Sequence, residues 1–354
     1  MKKYVICVDN GENFNAASKA RQDAEKILLA RGCEPLHYQT DRSAEGNRLK
    51  QILLFFHTIR TWNSTMDQAE PNNLVVFQYP FFPLKTVFIL NRLLPRTQKK
   101  KNLKFLALIH DLNSLRGFYG KTANYSDKQF LKHFDQIISH NQKMTEYLQS
   151  IGIPKEKITE LRIFDYLTEA TPKTHSKQDG IAIAGNLDPE KSGYISRLIT
   201  ISNKRFPIHL YGKGLTGRNE DKNITFHGAF PPDILPGELE GAFGLVWDGS
   251  SADTCKGPTG NYLKYNNPHK LSLYLSSGMP VMIWKEAAEA EFIRTNNVGI
   301  LIDSLDRIEQ EIQSISEEEY LQMAQNAWNI GRKLRVGEYL AVALVKSGNP
   351  TNKM

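Results

Sequence analysis

Cysteine is scarce in this chain. Its 354 residues include only three, Cys7, Cys33 and Cys255, which lie far apart in the sequence. Three scattered cysteines are too few for a disulfide framework or a cysteine-ligated zinc site, and they fit a protein kept in a reducing compartment. We therefore expect a cytoplasmic protein.

Long hydrophobic runs are missing as well. The longest apolar segment, residues 74–94, is interrupted by Gln78, Pro80, Pro83 and Lys85. No uninterrupted run approaches the roughly 20 apolar residues of a membrane-spanning helix. The N-terminal segment MKKYVICVDN has too short an apolar part for a signal peptide and predicts a first strand.

Several motifs that define common enzyme classes do not occur. The chain has no Asp-x-Asp pair to hold Mg²⁺ or Mn²⁺ against a diphosphate, no P-loop, no G-x-S-x-G turn and no histidine-rich metal cluster. The segment YGKGLTG, which begins at Tyr211, fits G-x-G-x-x-G formally. Polar residues and a new strand follow it instead of a helix, so we reject a dinucleotide site there. We expect no metal and no other cofactor.

Positive charge is in excess. The net charge is +7 and the isoelectric point is near 9.1, which favours anionic partners such as nucleic acid, membrane headgroups or phosphorylated metabolites. The densest basic cluster, Arg92–Lys104, is interpreted as a solvated loop between a helix and a strand, with peripheral membrane contact as the alternative. No nucleic-acid-binding motif accompanies it, so we expect no nucleic-acid partner.

Strand-like and helix-like patterns alternate along both halves of the chain, which predicts parallel sheets covered by helices. A polar, proline-bearing stretch interrupts the alternation and is interpreted as a linker. The predicted organisation is one α/β domain at 1–167, a linker at 168–180, a second α/β domain at 181–330 and a C-terminal helix at 331–354. Two doubly wound α/β domains of this kind bind ligands beyond the carboxyl ends of their strands.

The segment NNPHKLSLYLSSGMPV, beginning at Asn266, predicts a helix that enters a buried strand. Asn267 is a suitable cap, Pro268 fits the first helical position, and Gly278 can end the helix in a left-handed conformation. Lys270 lies in the first turn, where the helix dipole disfavours a cation. Either a bound anion compensates for this or the lysine is simply solvated. A loop of about 20 polar residues before this segment favours the anion.

Other candidate residues follow predicted strands. His110 and Asp111 come directly after an apolar strand, where they could act as a general base, or Asp111 could cap the next helix while His110 packs. Asn10 and Gly11 follow the first strand and permit close approach to a ligand, although a plain turn explains them equally well. Further candidates are Asn186 and Lys191 after the first strand of the second domain, and Tyr211 as a stacking surface for a base.

The segment GLVWDGSSADTCKGPTGNYLKYNNPHKLSLYLSSGMPVMIW resembles the hallmark of a bacterial glycosyltransferase family, and LIHDLNSLRG, IISHNQKMTEYL and LRIFDYL resemble other family segments. That family contains β-1,6-galactofuranosyltransferases of surface polysaccharides and the glucosyltransferases that extend GlcNAc on serine-rich-repeat adhesins. The resemblance covers residues from about 100 to the end, with weaker matches near the N-terminus.

The resemblance implies a GT-B fold: two Rossmann-like domains facing a central cleft, with a C-terminal helix crossing back to the first. It also implies that the domain at 1–167 binds the acceptor, that the domain at 181–330 binds the nucleotide sugar, and that the helix at 331–354 is the returning one. It implies that Lys270 and a basic residue after the second domain's first strand, here Lys191, hold the donor diphosphate. Tyr211 matches a residue near the nucleotide. The remaining residues expected at the donor site are Asp248, Asp253, Tyr262, Asn266 and Asn267.

The expected activity is metal-independent transfer of glucose or GlcNAc from a UDP-sugar, with His110 or Asp111 taking the acceptor proton and with inversion at the anomeric carbon. The expected acceptor is a GlcNAc-modified adhesin, and a lipid-linked polysaccharide acceptor for galactofuranose is the alternative. A nucleotide-sugar epimerase and a non-catalytic partner subunit are further alternatives. Self-association into a homo-oligomer is an expectation of the family type.

Overall fold

The computed structural model describes residues 1–8, 16–40, 48–81, 84–118, 120–200, 206–215 and 222–348. Asn10 and Gly11, two of the residues expected at the donor site, lie outside these ranges. The chain divides into two compact units. As far as their residues are described, one unit comprises Met1–Asn13, Arg21–Leu161 and Leu340–Met354, and the other comprises Phe14–Ala20 and Arg162–Tyr339.

The first unit is built on a six-stranded parallel sheet. Its strands, in sheet order, are β2 (Cys33–Tyr38), β1 (Lys3–Val8), β3 (Leu74–Tyr79), β4 (Lys104–Ile109), β5 (Gln136–Ser139) and β6 (Ile158–Glu160). The helices between them are α1 (Ala16–Ala30), α2 (Arg48–Asp67), α3 (Val87–Lys101), α4 (Gly120–Gln129) and α5 (Gln142–Ser150). Strand β3 is buried at all six positions, as expected for a central strand with both faces covered.

The second unit carries a second six-stranded parallel sheet. Its sheet order is β12 (Gly299–Ile302), β11 (Val281–Trp284), β10 (Phe243–Val246), β7 (Ile181–Asn186), β8 (Ile208–Lys213) and β9 (Ile224–Gly228). Its helices are α6 (Pro189–Ser192), α7 (Tyr194–Thr200), α8 (Leu235–Glu238), α9 (Gly257–Tyr262), α10 (His269–Ser276), α11 (Ala290–Asn296), α12 (Ile308–Ser314) and α13 (Glu317–Arg335). A last helix, α14 (Glu338–Gly348), ends the described chain. Numbered within the unit, the strand order is 3-2-1-4-5-6, the dinucleotide-fold order.

Two interpretations of the sequence as loop were wrong. The basic cluster that begins at Arg92 is helical as far as Lys101, and α3 ends where Asn102 takes a left-handed conformation with φ of 50°. The polar segment before Asn266 contains the short helix α9. Polar and basic residues are as typical of a solvated helix face as of a loop, so composition alone misassigned both segments.

Within the segment 331–354, where a C-terminal helix was predicted, the structure has the end of one helix and the whole of another, and residues 349–354 lie outside the described ranges. Helix α13 begins with Ser316 and Glu319 in a reciprocal capping box. The chain turns at Gly337, whose φ of 73° favours glycine, and α14 starts at Glu338. Among the described helices, none is both long and apolar enough to span a bilayer.

Candidate functional site

The second sheet reverses its strand order between β7 and β10. These strands pair in parallel, with β8 on the far side of β7 and β11 on the far side of β10. The chain segments that follow β7 and β10 therefore run toward opposite edges of the sheet. In sheets of this kind, the crevice that binds a ligand lies at this switch point, beyond the carboxyl ends of the two strands. The loops that follow β7 and β10 are consequently the places to look for a ligand site.

Lys270 lies beside the loop that follows β10. Its ammonium donates to the Trp247 carbonyl at 3.0 Å and to Asp248 Oδ1 at 2.8 Å. The side chains of Lys270 and Asp248 are only 16% and 12% exposed. The interpretation of Lys270 as a solvated surface lysine is therefore wrong. An ammonium has three donors, and these two contacts use two of them.

The start of α10 differs in detail from the sequence prediction. Pro268, with extended ψ of 125°, is the cap residue, and His269 is the first helical residue. The predicted cap Asn267 instead donates its side-chain amide to the Arg162 carbonyl at 3.1 Å. Within the described chain no side chain caps this helix start. The first-turn N–H groups of α10 therefore favour an anion at this place. The predicted end was right, because Gly278 has φ of 71° just beyond the helix.

Two buried polar atoms adjoin this helix start. Asn266 Oδ1 and His269 Nε2 have no hydrogen-bond partner among the described residues. Burial lowers the pKa of His269 to about 3, with a further contribution from the nearby Lys19 charge, so the imidazole is neutral. Unsatisfied buried polar atoms are costly, and a polar ligand would supply the missing partners.

The loop after β7 is attached to the loop after β10. The Lys191 carbonyl accepts from the Gly249 N–H at 3.0 Å, and the Asn186 side chain folds back to accept from the Asp188 N–H at 3.0 Å. Asn186 thus forms the turn itself. Lys213, the exposed last residue of β8, is paired in register with Asn186, and sequence reasoning did not single it out.

The other expected donor-site residues lie in different surroundings. Tyr211 is 1% exposed, and the ring of His227 stacks on it at 4.4 Å. A base could stack there only after these groups moved, so the geometry does not favour that role. Tyr262 is buried at the end of α9, where its carbonyl accepts from the Asn266 N–H at 3.1 Å. Asp253 is exposed beside Ser251.

Tyr274 fixes α10 across the two strands. Its ring covers Gly244 of β10 so closely that a Cβ there would lie 2.0 Å from the ring. Its hydroxyl accepts from the Ala184 N–H of β7 at 2.8 Å. One side chain therefore sets the position of α10 relative to both strands that flank the crevice.

We expect Tyr274→Phe to lower the free energy of unfolding by about 1–3 kcal/mol, because the buried Ala184 N–H loses its acceptor. Denaturant unfolding monitored by circular dichroism would measure this. Tyr320→Phe is the matched control, since that buried hydroxyl makes only a 3.4 Å contact with the Ala242 carbonyl. Equal losses in both variants would contradict a special role for Tyr274.

In the first unit, His110 and Asp111 follow β4 as predicted from the sequence. His110 Nε2 lies 2.8 Å from Gln78 Oε1, and the residue is 9% exposed. Asp111 forms an ion pair with Arg116 at 2.9 Å. The guanidinium stabilises the ionised carboxylate and so weakens it as a base, which leaves His110 as the better general base of the two.

Asp127 supports the segment that follows β4, and sequence reasoning did not single it out. Its carboxylate accepts from the Ser114 N–H at 2.8 Å and makes a short hydrogen bond with the Tyr79 hydroxyl. Burial raises the pKa of Asp127, although both hydrogen bonds oppose this. No local pattern reveals such a residue, because its partners come from β3 and from the segment after β4.

Both units match known proteins. Residues 2–163 match the N-terminal domain of the glucosyltransferase 3-like family, and residues 181–347 match its C-terminal domain. The β-1,6-galactofuranosyltransferase WbbI of Escherichia coli K12 is 36% identical over 279 residues, which cover 76% of this chain and 77% of that protein. Glucosyltransferase 3 of Streptococcus parasanguinis is 25% identical over an alignment of 362 positions that covers 98% of each protein.

A solved structure is similar in fold. Anabaena Alr3699/HepE in complex with UDP and glucose aligns with a TM-score of 0.59 at 12% identity, over 96% of this chain and 99% of that one. The GT-B fold expected from the sequence motifs is confirmed, as is the family resemblance. Because both family domains match in order along most of its length, the chain belongs to the glucosyltransferase 3-like family and is a glycosyltransferase of the GT-B fold.

Proposed function

We propose that the chain transfers a hexose from a UDP-sugar to a hydroxyl group of a glycan acceptor. The observation that carries this proposal is the pairing of Lys270 with Asp248 at the uncapped start of α10, beside the switch between β7 and β10. A nucleoside diphosphate needs N–H donors where its charge develops. This place offers the first-turn N–H groups of α10 and the Lys270 ammonium, whose contacts with Trp247 and Asp248 use two of its three donors.

The proposed chemistry assigns one task to each unit. Lys270 and the first-turn N–H groups of α10 stabilise the UDP leaving group, so that no metal ion is needed for that step. His110 takes the proton of the acceptor hydroxyl as that oxygen attacks the anomeric carbon. Asp248, Asn266 and Asn267 recognise hydroxyl groups of the donor, and we expect inversion of the anomeric configuration.

The proposed acceptor is a carbohydrate, and two classes are favoured by different relatives. A GlcNAc-modified serine-rich-repeat adhesin corresponds to the resemblance to the streptococcal glucosyltransferase 3. A lipid-linked polysaccharide with galactofuranose as the transferred sugar corresponds to the 36% identity with WbbI.

A surface of α2 supports the lipid-linked alternative. Four apolar side chains of this helix are 41–63% exposed: Ile52, Leu53, Phe55 and Phe56. Helix α2 contacts α3, where the Trp62 N–H donates to Thr97 Oγ1 at 2.9 Å, and α3 ends in Lys99, Lys100 and Lys101. The lysine end of α3 adjoins the C-terminal end of α2, where Lys101 donates to the Met66 and Ala69 carbonyls. The exposed apolar side chains near the start of α2 are therefore the part of this surface that suits a membrane interface.

A panel of UDP-glucose, UDP-GlcNAc and UDP-galactofuranose tests the proposal. We expect UDP release from one donor, rising with either a GlcNAc-modified peptide or a long-chain alkyl glycoside, and mass spectrometry would identify the product. Conversion of a donor without acceptor would instead indicate an epimerase. If the chain neither releases UDP from any of these donors nor binds any of them, the proposal is contradicted and a partner subunit is favoured.

A further inference from the structure

Two histidines and a glutamate converge next to the β8–β9 pair. His209 belongs to β8, His227 to β9, and Glu240 to the segment between α8 and β10. One ligand atom from each lies within 4.8 Å of the other two. His209 Nδ1 is 3.1 Å from His227 Nε2 and 3.6 Å from Glu240 Oε2.

These separations suit a tetrahedral ion. Metal–ligand distances of about 2.0–2.1 Å in tetrahedral zinc sites place neighbouring ligand atoms roughly 3.3 Å apart. The two measured separations lie on either side of that value. Two imidazoles and one carboxylate are also a donor set that Zn²⁺ accepts, with water in the fourth position.

A β-bulge brings His227 into the cluster. In the register of β8 with β9, Leu210 pairs with Phe226 and Tyr211 pairs with Gly228, so His227 is the extra residue. A bulge redirects the side chains that follow it on the strand. His209 and His227 are 18 residues apart in sequence, and neither position has the spacing of a zinc motif, which is why sequence reasoning found no metal cluster.

The tautomer of His209 is set by a neighbouring carbonyl. His209 Nε2 lies 3.2 Å from the Asp179 carbonyl oxygen. A carbonyl only accepts, so Nε2 carries the proton and Nδ1 keeps the lone pair that faces His227 and Glu240. Such an outer hydrogen bond is the usual way in which a protein orients a metal-binding imidazole.

Glu240 and His227 are held in place by two more side chains. Lys173 binds Glu240 Oε1 at 3.2 Å, whereas Oε2 is the oxygen closer to His209. The Tyr211 hydroxyl accepts from the Glu240 N–H at 2.9 Å, and the Tyr211 ring stacks on His227 with an angle of 4° between the planes. The buried tyrosine thus positions two of the three groups.

Among the described residues that contact the cluster, Lys173 carries a positive charge and so opposes a cation. Its ammonium lies 3.2 Å from Glu240 Oε1, the carboxylate oxygen that does not face His209.

We propose that His209, His227 and Glu240 bind a divalent transition-metal ion, with Zn²⁺ as the best match. The ion would link β8, β9 and the segment before β10 as a structural element of the second unit. It would not act on the diphosphate, for which Lys270 and α10 are proposed. The inference is independent of the proposed transferase activity, because the three ligands are separate from the residues proposed for donor and acceptor.

The test uses the full chain, without an affinity tag, after treatment with a chelator. Titration with ZnCl₂ in a calorimeter should show one equivalent bound, and the saturated protein should unfold at a higher temperature than the metal-free protein. Co²⁺ in place of Zn²⁺ should give the intense visible absorption of a tetrahedral site. His227→Gln and Glu240→Gln should each weaken Zn²⁺ binding by at least the roughly 10–100-fold that loss of an outer hydrogen-bond partner costs.

His37→Gln is the matched control, since His37 is an exposed histidine of the first unit. It should bind Zn²⁺ like the unaltered protein. Two results would overturn the inference: no stoichiometric Zn²⁺ binding by the unaltered chain, or binding of equal strength in His227→Gln and Glu240→Gln. His227→Gln and Glu240→Gln both place a glutamine, which can still hydrogen bond, at a half-exposed position. Their unfolding temperatures without metal should therefore be close to that of the unaltered protein, which would show that both variants are folded.

Discussion

Replacement of Lys270 by alanine should reduce kcat for sugar transfer by about 10²–10³-fold, the loss expected when one group that stabilises a developing anion is removed. The expectation follows from the position of the ammonium between the Trp247 carbonyl and Asp248 at the start of α10. UDP release at saturating donor would measure it. Lys264→Ala is the control, because Lys264 is 43% exposed and its contacts are a surface ion pair with Glu286 at 2.8 Å and the Trp284 ring at 5.2 Å.

A loss of activity in Lys270→Ala has a second explanation, which must be separated from the first. Asp248 is 12% exposed, and removal of its partner leaves a largely buried carboxylate unpaired, which is destabilising. Asp248→Asn combined with Lys270→Ala removes both charges and so avoids this cost. The comparison of interest is therefore between the double variant and Asp248→Asn alone.

If Lys270 acts on the leaving UDP, the double variant should remain about 100-fold less active than Asp248→Asn, and its affinity for UDP should be lower in calorimetry. If Lys270 serves only to neutralise Asp248, the two should be equally active. Equal activity would contradict the assignment of Lys270 to the diphosphate. Thermal unfolding of each variant would show whether it remains folded.

The two parallel sheets were predictable from sequence because buried parallel strands appear as short apolar runs separated by helical patterns. The same reasoning located α10 to within one residue of its observed start at His269, because an apolar face and a following glycine give clear boundaries. It missed α9 and the part of α3 from Arg92 to Lys101, whose polar or basic residues are compatible with a loop. Strand β6 is three residues long, which is too short for any periodicity.

Candidate site residues could be predicted when they adjoin an apolar strand or helix in the sequence. The residues that they contact in the folded protein could not be predicted. Lys270, His110 and Asp111 were found because each adjoins an apolar element. The Asp248 contact with Lys270 spans 22 positions, and the Gln78 contact with His110 spans 32. Such pairs form only when the sheet brings distant loops together, and no local pattern in a single sequence predicts them. Tyr211 shows the converse, since its place after a strand suggested ligand contact although the ring is buried.

Replacement of His110 by glutamine should lower kcat by about 10²–10⁴-fold, the range for loss of a general base. Glutamine keeps much of the volume and can still hydrogen bond to Gln78, which lies 2.8 Å from the imidazole. Asp111→Asn should cost less than about 10-fold, because Asp111 is already engaged by Arg116 at 2.9 Å and is the weaker base. Initial rates with saturating donor and acceptor would measure both.

The matched control is His133→Gln in the same unit. His133 Nε2 lies 2.9 Å from Asn91 Oδ1, which reproduces the imidazole–amide contact of His110 at a position with no proposed chemistry. This variant should retain nearly full activity. A stability effect of losing an imidazole would appear in both histidine variants, whereas loss of the base would appear only in His110→Gln.

The pH dependence separates a base from a residue that merely positions the loop. A general base acts when it is deprotonated, so kcat/KM of the unaltered enzyme should rise with pH through the pKa of the base and then level off. In His110→Gln this rise should disappear, while the affinity for UDP should stay unchanged because His110 is proposed to act on the acceptor. If the rise persists in His110→Gln and disappears in Asp111→Asn, the base is Asp111 and the Arg116 contact must open during the reaction.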